Sequence, residues 1–408
     1  MEACYFLNDI ILFYIWDNNA ERQGDTVTMI FDISESNFRH IFNDKDLFLP
    51  IRWDGDDFSE TLKKLFGKYL SRLEIFHGKA LNNRVGLCVS IDEIKSIIDG
   101  LVKSIEDYLK GFPAKAYQDF EYTMSILEKT PLREYEKSAY EQFGYDGYKD
   151  DPLRLFRVVK VDDDKTYMRR RVFHTPYNLR SKVSTNRYSI AGYPSLYLGT
   201  SLELCCDEIK AKPTSDQLIT SVYKLDRSFS NTNIEIRVVE LGIKPQDFIN
   251  NFENNIDTAD RNQIGPRRIR SSVLLRTDVR NAYFLWYPLI AASSYIRINK
   301  KEPFAVEYII PQLLMQWIRY KTMQGEHYSE LIGIRYFSCA SKRSSEKGFN
   351  YVFPTSGTPY KPNFQYCDIL TKAFRMTKPD YIHEYNSIDD CEAKLRALGD
   401  NYYDTPDR

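Results

Sequence analysis

From Phe58 to about Thr130 the apolar residues recur every three or four positions, whereas past Pro152 they alternate or run in short blocks. The first spacing lines one face of a helix and the second suits half-buried strands, so the chain must change architecture between them. Ser90 followed by Glu93 has the form of a capping box, and Ile91, Ile94, Ile98, Leu101, Ile105 and Leu109 continue it as an apolar stripe to a stop at Gly111. Glu60 to Leu73 is amphipathic in the same way, and another helix is expected over about Ala114 to Glu128.

The stretch from Pro131 to Asp151 is polar, tyrosine-rich and broken by Gly144 and Gly147, which marks a boundary. Beyond it, strands are expected at Leu155 to Val161, Ser195 to Leu198, Leu218 to Leu225 and Ile234 to Leu241. Helices are expected at about Leu202 to Ala211, Ser271 to Leu285 and Ile309 to Thr322, with a capped helix from Ser387 to Gly399. A chain of 408 residues exceeds the roughly 250–300 residues over which a single core grows. The expected fold class is therefore α+β: a mainly helical regulatory or interaction domain over 1–140, a mixed α/β domain over 150–360, and an extension over 361–408 packed on the latter.

Lys plus Arg (56) and Asp plus Glu (57) nearly cancel, so no global field draws the chain to nucleic acid or an anionic membrane. Asn8 and Asp9 precede the apolar run Ile10 to Trp16 without a basic flank, which argues against a signal peptide. The run Ala282 to Ala292 contains Pro288 and is shorter than the roughly 17–25 residues of a spanning helix. The seven cysteines are scattered without a CxxC pair, which suits reduced thiols in a cytoplasm and no zinc site.

Site-type residues are densest in Phe173-His174-Thr175-Pro176-Tyr177, in Thr185-Asn186-Arg187-Tyr188-Ser189-Ile190-Ala191-Gly192-Tyr193-Pro194, and in Leu196-Tyr197-Leu198-Gly199-Thr200-Ser201 followed by Cys205-Cys206-Asp207-Glu208. Here the sequence resembles the RES family, named for an Arg, a Glu and a Ser. Leu155-Phe156-Arg157-Val158 is similar to its first arginine strand, and Gly333-Ile334-Arg335-Tyr336-Phe337-Ser338 to its serine strand. The resemblance spans roughly Pro152 to Pro354, includes Glu307-Tyr308-Ile309-Ile310-Pro311-Gln312, and departs at Val159, where the family often has a second basic residue. It implies an ADP-ribosyltransferase-like fold and an NAD+-degrading bacterial toxin that cuts the nicotinamide–ribose bond, with water or phosphate as acceptor and restraint by an antitoxin or an infection-sensing partner in defence. NAD+ enters as substrate, and no cofactor or metal is implied.

That substrate carries two negative phosphates and a glycosidic bond whose heterolysis develops oxocarbenium character. Arg157 and Arg187 have planar forks suited to the phosphates, Tyr197 an aromatic face for the ring or ribose, and Glu208 a carboxylate for the developing charge. Ser338 is expected to orient the phosphate or the nicotinamide amide, with Tyr188 and His174 as further substrate contacts. Each has a structural alternative: Tyr197 as core filler, His174 as a hydrogen-bonded structural histidine, Gly192 and Pro194 as a turn. The basic runs Met168 to Arg171 and Arg267 to Arg270 read first as solvated faces or partner contacts, so a nucleic-acid partner is not expected. Ser344 to Gly348 reads as a flexible loop near the site and a candidate lid.

Two rival activities carry their own signals. Transfer of ADP-ribose to a macromolecule would use the same residues with another acceptor. Arg72 and His77, five apart at an expected helix end, resemble the Arg-x4-His spacing of HEPN ribonucleases. Regulation, dimerisation into a homo-oligomer or reception of an inhibitor is the expected task of 1–140.

Overall fold

The computed structural model describes residues 6–7, 10–11, 35–53, 55, 57–83, 90–129, 133–135, 154–162, 167–225, 235–253, 277–297, 302–324, 329–356, 364–398 and 402–405. The stretch 136–151, the run Arg267 to Arg270, and Cys4 and Cys88 lie outside them.

The amino-terminal part holds helices α1 (Glu35–Phe42), α2 (Phe58–Asn83), α3 (Ile91–Leu109) and α4 (Pro113–Leu127). The local signals act as anticipated. Ser90 Oγ accepts the Glu93 N–H at 3.3 Å, Gly111 turns the chain out of α3 at φ +87°, and Pro113 opens α4 where its missing N–H costs nothing. Strands β1 (Phe6–Leu7) and β2 (Ile10–Ile11) form a separate antiparallel pair.

The remaining chain builds a ten-stranded sheet around β5 (Leu155–Lys160), β6 (Ser195–Gly199), β7 (Leu218–Leu225), β8 (Glu235–Leu241), β10 (Ser329–Phe337) and β11 (Phe349–Pro354). With β4 (Arg133–Tyr135), β12 (Phe374–Met376) and β14 (Tyr403–Asp404) the strand order is β14-β12-β7-β5-β6-β11-β10-β8-β4, and β13 (Asp380–Tyr381) also pairs with β7. Every pairing is antiparallel except β8 with β10, so the sheet is mixed. A small parallel pair joins β3 (Ile51–Arg52) to β9 (Tyr295–Ile296). The strands β12, β13 and β14 bring the carboxy-terminal segment into the sheet itself.

Helices α5 (Leu202–Glu208), α6 (Pro245–Glu253), α7 (Thr277–Ala292), α8 (Ile309–Gln324), α9 (Asp368–Ala373) and α10 (Ile388–Arg396) flank the sheet. One continuous cluster joins Phe38, Leu62, Ile98 and Phe120 from the amino-terminal helices to Tyr287, Leu314, Ile334 and Val352, so α1 to α4 share a core with the sheet. A smaller cluster, with Phe156, Leu202, Cys206, Val222, Cys391 and Leu395, sits where α5 and α10 cover β5 and β7.

The apolar run at Ala282 to Ala292 lies inside α7 and is buried throughout, and among the described residues no helix is long and apolar enough to cross a membrane. Pro288 lacks the N–H that the Phe284 carbonyl would accept in an unbroken helix. Tyr69 of α2 supplies the replacement, its buried hydroxyl donating to that carbonyl at 2.8 Å. A side chain of the helical part thus completes a defect in α7.

Candidate functional site

Strand β6 runs into α5 through Thr200 and Ser201, and this local turn sets the position of Glu208. Ser201 is the N-cap: its Oγ accepts the Leu204 N–H at 3.2 Å and its hydroxyl donates to the Lys347 carbonyl at 2.9 Å. Leu202, Cys205 and Cys206 turn inward and anchor the helix, which leaves Glu208 exposed on its last turn. Gly199 lets the helix lie close to the strand, because a Cβ there would stand 2.7 Å from Cys205 Sγ.

Across the sheet, Asn350 of β11 stands in register with Gly199, and Tyr336 of β10 in register with Asn350. The Asn350 side chain is 4% exposed and its Nδ2 donates to Glu208 Oε1 at 2.6 Å. Tyr197, two residues before Gly199 and so on its face of β6, shares a 2.5 Å hydrogen bond with Ser189 Oγ. Ser189 is placed by a two-residue bridge with Asn186, each N–H donating to the other's carbonyl at 3.1 Å. The Tyr188 ring lies 4.6 Å from that of Tyr336, inclined by 51°.

The electrostatics place these groups in one neighbourhood. Burial pushes the Tyr197 and Tyr336 phenols above their ordinary range, and the negative charge of Glu208 adds to both shifts. The Cys339 thiol is pushed up to about 11 by burial, with Arg187 opposing and Glu208 reinforcing. Ser338, between Phe337 and Cys339 at the end of β10, is fully buried and its Oγ accepts the Ala340 N–H at 3.1 Å.

The two arginines differ from expectation. Arg187 is 9% exposed and donates from Nη1 to the Ser293 carbonyl at 3.0 Å and from Nη2 to the Tyr295 carbonyl at 2.6 Å, with its guanidinium 4.9 Å from the Tyr308 ring centre. Those carbonyls follow the carboxyl end of α7, where a cation is favoured by the helix dipole. Arg187 therefore clamps the 186–189 turn to α7 instead of presenting a free fork. Arg157 lies between Phe156 and Val158, both of which face the cluster under α5, so strand alternation sends it to the other face of the sheet. There Tyr223, Arg171 and His174 feel its charge. Its Nη1 reaches the Tyr197 carbonyl at 3.4 Å, while Nε is buried without a hydrogen-bond partner among the described residues. Burial lowers its pKa.

His174, expected as a substrate contact, is a structural histidine. It is fully buried, Nε2 accepts the Cys367 N–H at 2.9 Å and Nδ1 lies 2.9 Å from the Thr175 carbonyl, so both ring nitrogens are committed. The candidate lid is also tied down. Ser344–Glu346 forms a short 3-10 turn, Ser344 donates to Asp207 at 2.8 Å, and Lys347 pairs with Glu203 at 2.9 Å and Asp207 at 2.6 Å. Gly348 follows at φ +138°, where a Cβ would meet Thr200 Oγ1 at 2.3 Å.

Away from this site, α2 continues to Asn83, so Arg72 and His77 lie within a helix and not at its end. Arg72 is bound to Asp44 at 3.2 Å, and the side chain of His77 lies outside the described residues. The five described cysteines are unpaired and buried, and among the described residues no group of three His, Cys, Asp or Glu side chains could hold a metal ion. Asn350, Ser189 and Tyr336 were not singled out in the sequence as site residues. Asn350 had a signal, as the one amide inside the otherwise apolar run Phe349–Pro354.

The molecule is thus a mixed α/β protein with an exposed, amide-held carboxylate beside buried tyrosines at a strand-turn-helix junction. The chain is similar to a Bacillus subtilis (strain 168) protein named "Putative toxin YopC", with 27% identity over 353 residues, covering 85% of this chain and 71% of that protein. No family model matches the chain, and no solved structure matches it.

Proposed function

We propose that the protein is a toxin that depletes NAD+ by cutting its nicotinamide–ribose bond, with a RES-type, ADP-ribosyltransferase-like catalytic part over roughly 150–360. The observation that carries this reading is the placement of Glu208: solvent-exposed, fixed at 2.6 Å by Asn350, and close enough to Tyr197 and Tyr336 for its charge to raise both phenols. The relative's name supports the toxin role, and the RES resemblance supplies the substrate.

In the reaction the ribose C–N bond breaks, its electron pair leaves with neutral nicotinamide, and positive charge spreads over the ribose C1 and ring oxygen. Glu208 stabilises that charge, and an accepting water or phosphate closes the new bond at C1, losing any proton to solvent. Tyr197, half-buried and oriented by Ser189, offers aromatic surface for a flat cationic ring, and Tyr188 and Tyr336 are buried against one another. Arg157, on the other face of the sheet, holds the Tyr197 main chain, and Arg187 and Ser338 act through the turns they hold. The amino-terminal helices would couple this site to a regulating partner in the cytoplasm.

Purified protein incubated with NAD+, with and without phosphate, should release free nicotinamide. Glu208→Ala should abolish release while leaving the circular dichroism spectrum unchanged, with any fall in melting temperature limited to the Asn350 donor it leaves unpaired. No release by the wild-type chain at high enzyme concentration, or full activity in Glu208→Ala, would overturn the proposal. Label from NAD+ appearing on protein or nucleic acid instead would redirect it to ADP-ribose transfer.

A further inference from the structure

Asn350 is polar, almost fully buried and the second residue of a strand whose other residues are apolar. Such an amide costs stability unless its hydrogen bonds are met. It spends a donor on a carboxylate that is itself exposed and could otherwise be solvated by water. A structural amide would be expected to bond inward, to a main-chain group or another buried side chain. This one reaches outward past Gly199, the position directly opposite, where a Cβ would be in ordinary contact with Asn350 Oδ1 at 3.5 Å but would clash with Cys205 Sγ at 2.7 Å.

We infer that Asn350 is the positioning residue of the site, fixing the rotamer of Glu208 so that its second oxygen faces the reacting ribose. This rests on the reading of Glu208 given above. The bond from Nδ2 to Oε1 restrains a long, exposed side chain that would otherwise sample several rotamers, and it leaves Oε2 for the developing positive charge. Being charge-assisted, the bond also holds the carboxylate oriented before substrate arrives. Asn350 touches no substrate atom in this scheme; it acts through Glu208.

The test compares full-length wild type, Asn350→Leu and Asn350→Asp in the nicotinamide-release assay. Loss of a hydrogen bond to a charged group should lower kcat about ten- to a hundredfold in Asn350→Leu, with KM within about threefold of wild type. Asn350→Asp keeps the shape but sets two carboxylates together, and one of them must take up a proton to restore a donor. Its kcat should therefore recover as pH falls from about 7 to about 5 relative to wild type, a response that a purely structural side chain would not give.

A second readout does not depend on turnover. The side-chain amide proton resonances of Asn350, identified by their absence from the Asn350→Leu spectrum, should move in Glu208→Gln. Unmoved resonances would refute the contact. An active wild type with unchanged kcat in Asn350→Leu, or no acid recovery in Asn350→Asp, would refute the positioning role. A wild type that releases no nicotinamide while the resonances do move would refute the reading of the reaction, and with it the role of Asn350 in that reaction, while the contact stands.

Discussion

Lowering the pH should destabilise the fold through His174. Its ring is buried, and the hydrogen bond at Nε2 requires the neutral form: Nε2 accepts from Cys367 N–H, so a proton placed there would face another donor. Burial is the largest cause of the lowered pKa, which falls from 6.5 to about 4, with Arg157 adding to the effect and the Thr175 carbonyl opposing it. The sign follows from linkage. Between these two values the unfolded chain binds a proton that the folded chain refuses, so stability is lost as pH falls from about 6.5 towards about 4. Working that difference through gives a loss of about 2 kcal/mol between pH 7 and pH 5 from this one group. His174→Gln keeps an acceptor and a donor but does not titrate there. Urea unfolding of both proteins at several pH values isolates the term, since the other titrating groups are common to the two. The wild type should lose about 2 kcal/mol more than His174→Gln over that interval. Equal losses would show that His174 is not held neutral and would refute its structural assignment.

Two further substitutions test how the elements are joined. Gly199→Ala places a methyl 2.7 Å from Cys205 Sγ, which should cost about 1–3 kcal/mol by overpacking; removing the sulfur in Gly199→Ala/Cys205→Ala should recover part of it, as measured by chemical denaturation. Tyr69→Phe should cost about 1–3 kcal/mol by leaving the Phe284 carbonyl buried and unpaired. The same substitution in a Pro288→Ala background, where the restored N–H takes that carbonyl, should cost clearly less; equal costs would refute the pairing.

Much of the fold was legible wherever neighbouring residues decide it. The capped helix after Ser90 runs Ile91–Leu109 and the helix after Ser387 runs Ile388–Arg396, because capping is a contact within a few residues. Strands β5, β6 and β7 fall where alternation or apolar runs placed them, and the turn from Tyr197 to Glu208 was readable because it spans a single strand and helix. Phe349–Pro354 was not anticipated as a strand: its unbroken burial reads as generic core until its partners β6 and β10 are known.

The roles of the site residues divide along the same line. The sequence by itself determined which chemical groups are present, and local geometry put Tyr197 and Glu208 near one another. Only the tertiary structure decided what each group is free to do. Arg187 looked like a phosphate fork, yet carbonyls more than a hundred positions away occupy its terminal nitrogens; His174 looked like a ligand contact, yet Cys367 and Thr175 occupy its ring. Asn350 stood out only as a lone amide in an apolar run, because its meaning lies in a partner 142 residues away. Pattern along a chain reports propensity and spacing, whereas the availability of a donor or a charge depends on which distant backbone folds against it.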